Sequence, residues 1–90
     1  MTIDFEKQSQ IFKALGHPTR LLLAHKLREK ELCVCELNAF VDIDQSTLSR
    51  HLKILREAGV LKKEKRSMQV YYSLRVPCLL DNILECIAKL

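Results

Sequence analysis

Between residues 44 and 59, leucine recurs at 48, 52 and 55, a spacing that gathers one apolar stripe along a helix. Asp44 is a good helix cap at one end and Gly59 a natural stop at the other. Opposite the leucines stand Ser46, Ser49, Arg50 and Lys53. The same periodicity predicts a first helix over residues 4–15, from Phe5, Gln8, Ile11, Phe12 and Leu15. Gly16-His17-Pro18 interrupts it, and Pro18 suits the first turn of a second helix running to Glu29, with Leu22, Leu23 and Leu27 on its core side. A third helix is expected over about residues 34–41, with Asp42-Ile43 as a short turn into the helix that follows. Two helices so joined, the second with a polar front, form a helix-turn-helix over about residues 33–59.

After Gly59 the period shortens. Residues 60–65 and 69–74 read as two strands, with Val70, Tyr72 and Leu74 sharing one face. The tip, Arg66-Ser67-Met68, lacks glycine, so a turn longer than two residues is expected. Pro77 opens a last helix reaching Leu90, with a stripe of Leu80, Ile83, Leu84 and Ile87 flanked by Leu79 and Leu90. No later element covers that stripe, so a second copy of the chain is its expected cover. The fold class is therefore mainly α with a small β-hairpin: a single winged helix-turn-helix of order α-α-α-α-β-β-α, homodimeric through residues 4–15 and 77–90, with a wing at 60–74. A two-fold dimer would place two recognition helices on successive major grooves.

Charge sharpens this picture. The chain of 90 residues carries a formal +4. Residues 45–66 hold seven cations (Arg50, Lys53, Arg56, Lys62, Lys63, Lys65 and Arg66) against two anions, Glu57 and Glu64. The rest of the chain is nearly neutral, so the positive excess lies on the second helix of the pair and the hairpin after it, the footprint of a nucleic-acid surface. Gln45, Ser46, Thr47, Ser49, Arg50 and Lys53 are the candidate groove contacts, because Arg grips a guanine edge bidentately and the others reach bases or phosphates. Lys62, Lys63, Lys65 and Arg66 are candidates for flanking phosphates or the minor groove, with simple solubility as the plainer reading. No apolar run is long enough to span a membrane, the N-terminus does not read as a signal peptide, and a cytoplasmic protein with reduced thiols is expected. No acid–base pair, phosphate loop or nucleophile constellation points to an enzyme.

Four cysteines then need a use. In Glu31-Leu32-Cys33-Val34-Cys35-Glu36-Leu37, Cys33 stands where a capping box has Ser or Thr, with Glu36 three residues on. A helix start stabilises a thiolate, and Lys30 is near in sequence. Were both cysteines helical, they would point about 200° apart, so one ion could join them only by deforming the first turn, coupling binding to release of DNA. The plainer reading is two small core fillers. Cys78 and Cys86 lie about 12 Å apart along one helix, too far to share an ion within it. His17 reads as a turn or capping residue and His51 as structural.

His17-Pro18-Thr19-Arg20-Leu21, ELCVCEL at residues 31–37, QSTLSRHL at 45–52, Leu55-Arg56-Glu57-Ala58-Gly59 and Val70-Tyr71-Tyr72-Ser73-Leu74 together resemble the ArsR/SmtB family of metal-sensing repressors over nearly the whole chain. ELCVCEL is similar to its arsenic-responsive branch. The resemblance implies a homodimeric winged helix that binds double-stranded operator DNA and lets go when As(III), Sb(III) or another thiophilic ion binds Cys33 and Cys35, with no permanent cofactor and no membrane. It also implies a third thiolate at position 38, where this chain has Asn38. Water, or Cys78 or Cys86 of the partner subunit, would complete the site. The zinc site of some relatives needs histidine on the last helix, and none follows His51. Two rivals stand beside this reading: a thiol-redox repressor of the same fold, and a winged-helix protein-interaction module without DNA.

Overall fold

A computed structural model of the chain describes residues 3–75 and 77–90, and for 77–79 and 84 the backbone alone. Helix α1 spans Phe5–Leu15 and is capped by Asp4, whose carboxylate accepts from the Lys7 N–H at 3.1 Å. Helix α2 spans Pro18–Glu29, and the His17 ring is its cap: Nδ1 accepts from the Thr19 N–H at 3.1 Å. Next come strand β1, Leu32–Cys33, and helix α3, Val34–Asn38. Helix α4 spans Gln45–Glu57. Strands β2, Leu61–Arg66, and β3, Gln69–Leu74, make the hairpin, and helix α5 covers Pro77–Ala88. The sheet is antiparallel, in the order β1-β3-β2.

The leucine stripe of α4 is the centre of the core. Leu48, Leu52 and Leu55 are fully buried, against Leu23, Ala24 and Leu27 of α2, Leu37 of α3, Leu61 of β2 and Tyr72 of β3. Each such side chain contributes roughly 1.5–3 kcal/mol on leaving water, so the stripe fixes how α4 is rotated. Leu80 closes the core from α5, which Arg28 also ties to α2 through Asp81 at 3.2 Å. The stripe of α5 is only partly covered within the chain: Ile87 is exposed, as are Phe5 and Phe12 of α1. The Leu79 and Leu84 side chains lie outside the described residues.

The structure differs from the sequence expectation in three places. β1 was not anticipated, because two residues carry no alternation; it exists through its partners, Leu32 opposite Tyr72 and Cys33 opposite Tyr71. α3 stops at Asn38 rather than continuing to residue 41. The N–H groups of Ala39 and Phe40 bond three residues back, to Glu36 and Leu37, which tightens the end, and the Phe40 ring turns under the Lys26 ammonium, 4.6 Å from its centroid. The connection to α4 is therefore residues 39–44. The hairpin tip is a two-residue turn, since Arg66 pairs with Gln69. Ser67 takes φ 54°, the left-handed position that glycine usually fills.

α4 ends as its sequence predicts. Gly59 has φ 90°, its N–H reaches the Arg56 carbonyl at 3.0 Å, and the Val60 N–H reaches the Leu55 carbonyl at 2.9 Å. This is the Schellman arrangement. No atom crowds a Cβ built at Gly59, so the cost of a side chain there is conformational. Gly59→Ala should lower the unfolding free energy by about 1–2 kcal/mol in urea titration; unchanged stability would show that the left-handed turn is not required.

Candidate nucleic-acid interface and thiol site

Burial of the leucines leaves the other side of α4 to solvent. Gln45, Ser46, Ser49, Arg50 and Lys53 are exposed and Thr47 is half-buried. Their availability differs. The Asp44 carboxylate accepts from the hydroxyls of Ser46 and Thr47, the latter at 2.5 Å, and from the Thr47 N–H at 3.3 Å. These donors hold its pKa down at about 2. Ser46 and Thr47 are thereby engaged in starting the helix. Lys53 lies 3.8 Å from Glu57, an exposed pair of little strength.

The register of the hairpin sorts the wing cations onto two faces. Lys63 stands opposite Tyr72 and Lys65 opposite Val70, on the face that continues the core side of the sheet. Lys62, Glu64 and Arg66 stand on the other face with Tyr71. Arg66 is engaged. Its guanidinium donates to both oxygens of Glu31, Nη2 to Oε2 at 3.0 Å, and Nη2 also to Glu64 at 3.1 Å, while it lies over the Tyr71 ring at 5.1 Å. Those bonds raise the Arg66 pKa above its ordinary range and lower that of Glu64. Glu31 and Tyr71 had no signal in linear sequence beyond the alternation that sets Tyr71 against Tyr72.

The thiols meet. Cys33 is not in the helix but caps it in an extended conformation, φ −83° and ψ 167°, and its N–H donates to Glu36 Oε1 at 3.0 Å. Cys35 is helical. The extended cap turns the Cys33 side chain back toward Cys35, their Cα atoms are 5.5 Å apart and the two sulfurs are joined. One expectation falls here: the sulfurs converge while α3 stays intact from Val34, so a shared atom does not require the turn to unwind. Cys33 is buried, Cys35 exposed. Among the described residues, no three His, Cys, Asp or Glu side chains are grouped to hold a metal ion. Cys86 is free and exposed on α5, and the Cys78 side chain lies outside the described residues.

One groove of about 530 Å³ brings these parts together. Cys33, Cys35 and Asn38 line one side, Gln45 and Ser49 of α4 another, and Met68, Gln69 and Val70 at the wing tip a third. Asn38 shares the groove with Cys35, as their three-residue spacing implies. A second, apolar groove of about 230 Å³ lies between α1 and α5, lined by Phe12, Leu15, Leu21, Leu80, Ile83 and Ile87.

A helix pair with a polar and basic front, followed by a hairpin carrying lysines, defines a winged helix-turn-helix transcription regulator. Residues 17–63 match the family described as "Bacterial regulatory protein, arsR family", and the chain belongs to that family, one of transcription regulators and not of enzymes. It is 44% identical over 81 residues to the arsenic resistance transcriptional regulator ArsR1 of Pseudomonas putida, covering 83% of this chain and 61% of that one. It is 40% identical over 87 residues to the arsenical resistance operon repressor of Bacillus subtilis, covering 92% and 83%. Among solved structures it resembles the transcriptional repressor BigR of Xylella fastidiosa, with TM-score 0.78, 36% identity and coverage of 91% and 86%. The chain spans 55–64% of the length of several of its curated relatives. Among the described residues no helix is long and apolar enough to cross a membrane.

His51 on α4 links the stability of the fold to pH. The His51 ring lies 4.6 Å from that of His17, and Arg20 Nη1 is 3.2 Å from His51 Nδ1. Burial, then the charges of His17, Arg20 and Arg50, lower the His51 pKa. The unfolded chain, with histidine near 6.5, therefore binds the proton more readily. Stability is full above about pH 6.5 and declines as pH falls below it. The Tm should drop between about pH 7.5 and pH 5.5, and His51→Gln should flatten that drop; an identical slope in the variant would remove His51 as its source.

Proposed function

We propose that the chain is a cytoplasmic repressor that binds double-stranded operator DNA as a homodimer and releases it when As(III) or Sb(III) binds Cys33 and Cys35. The observation that carries this reading is the shared groove: the thiol pair, the exposed front of α4 and the wing tip are its three sides. A ligand on the sulfurs enters the space that separates the two DNA-reading parts. Gln45, Ser49, Arg50 and Lys53 face the major groove, with Ser46 and Thr47 holding the start of the helix; Lys63 and Lys65 take flanking phosphates. Arg66 reaches phosphate only by leaving Glu31 and Glu64. Residues 33–59 act as the helix-turn-helix, 60–74 as the wing, and 4–15 with 77–90 as the dimer contact, whose apolar groove and exposed Phe5, Phe12 and Ile87 a second copy would cover.

The site fits a thiophilic ion once the pair is reduced by a cellular thiol. Two thiols then take up arsenous acid, forming two S–As bonds and releasing two waters. As(III) keeps a hydroxyl or takes a further donor, and Asn38 lines the same groove. The arsenical names of two relatives support this choice of inducer. The joined sulfurs favour a second reading, in which oxidation of the pair is itself the signal. No permanent cofactor enters either.

Anisotropy with a duplex operator separates these. The log of the DNA association constant should fall with the log of salt concentration, by about 0.9 per phosphate neutralised; affinity that ignores salt would point to a protein-interaction module. Arsenite should release DNA from the reduced protein, and Cys33→Ser or Cys35→Ser should abolish release. Release by peroxide alone would favour the redox reading. Arg50→Ala should cost about 1–3 kcal/mol of sequence preference; no cost would place Arg50 off the bases.

A further inference from the structure

Arg66 closes the tip end of β2 with bonds that cross the whole sheet. Glu31 lies just before β1, Tyr71 is on β3, and Glu64 and Arg66 are on β2. Tyr71 is the register partner of Cys33 on one side and of Glu64 on the other. The guanidinium lies on this ring, 5.1 Å from its centroid, and reaches both Glu31 oxygens. The bridge thus runs from the residue beside the wing turn to the residue two before Cys33.

Two features make this more than a surface ion pair. First, the geometry is constrained: two nitrogens on two oxygens, a second carboxylate at 3.1 Å and an aromatic floor fix the direction of the guanidinium as a single exposed contact would not. Secondly, β1 is held to the hairpin by only two register pairs, Leu32 with Tyr72 and Cys33 with Tyr71. The side-chain tie adds a second connection, on the outer face of the sheet, between the thiol segment and the wing. It also neutralises a cation beside the proposed DNA surface, where a free arginine would bind phosphate.

We infer that the Glu31–Arg66 bridge is a positioning device that carries the state of the Cys33–Cys35 pair to the wing tip. Opening or filling the pair moves the backbone at Cys33. Glu31 moves with it, and Arg66 pulls the adjoining Ser67-Met68 turn relative to α4, changing the width of the groove. Its consequence for DNA rests on the repressor reading; the link itself does not.

The test uses the free full chain. Backbone amide shifts of Ser67 and Met68 are compared by NMR with the pair joined by diamide and reduced by a phosphine. In the unmodified chain the tip amides should shift between the two states. In Glu31→Gln the Val34 and Cys35 amides should still shift, while the shifts at Ser67 and Met68 fall at least threefold. Arg66→Lys, which keeps the charge and loses the fork, should behave like Glu31→Gln, and Glu31→Asp should restore part of the shift. Tip shifts of full size in Glu31→Gln and Arg66→Lys, or none in the unmodified chain, would overturn the inference. Arsenite-driven DNA release, measured separately, tests the repressor reading: its absence removes that reading and leaves the NMR comparison to decide the bridge. Where release occurs, Glu31→Gln should reduce its factor at least threefold with arsenite still bound at the thiols; an unreduced factor would count against the bridge.

Discussion

Packing of Leu48, Leu52 and Leu55 into the core is the constraint from which the rest follows. A helix offers its partners only what its rotation allows, and three fully buried leucines leave α4 one rotation. Gln45, Ser49, Arg50 and Lys53 are exposed as a consequence. The ends are fixed independently, by Asp44 gathering three donors and by Gly59 turning left-handed. A short helix so determined at both ends and along its back can present side chains to a rigid partner with little loss of conformational freedom on binding.

The thiol pair obeys a different constraint, set by one residue being outside the helix. Periodicity within α3 would have driven the sulfurs apart. As the cap, Cys33 has extended backbone, pairs with Tyr71 as the end of a strand, and brings its sulfur to Cys35 at no cost to the helix. In the proposed repressor, coupling of this site to DNA would therefore not pass through unwinding of α3. The strand ladder and the groove are the physical routes left, and both lead to the hairpin as much as to α4.

What was legible in the sequence follows the range of the interactions. The apolar stripes placed α1, α2, α4, the hairpin and α5 to within a few residues, because each is set by contacts that repeat along the chain. Asp44, Gly59 and His17 were legible as caps for the same local reason. β1 was not, since two residues form a strand only when Tyr71 and Tyr72 are beside them. The turn at Ser67-Met68 was misjudged because the register from Arg66 to Gln69 overrode the absence of glycine. The pairing of His51 with Arg20 and His17 was invisible too, being made across 31 and 34 positions of chain.

Formal charge also changes meaning once side chains have partners. The excess over residues 45–66 counts Arg66 as a free cation, yet Glu31 and Glu64 neutralise it, and Glu31 lies outside that segment. The cations left at the proposed interface divide by element and face: Lys63 and Lys65 on the core side of the wing, Lys62 on the other, Arg50 and Lys53 on α4. Under the proposed function, lysine and arginine suit different contacts. Lysine at the wing suits phosphates, where a flexible point charge tolerates imperfect registry. Arginine on α4, carried by a helix with a buried back, suits a base edge, where a planar fork needs fixed direction. Arg66, by contrast, is used within the protein, where its fork meets a carboxylate, and for that role lysine would keep the charge and lose the geometry.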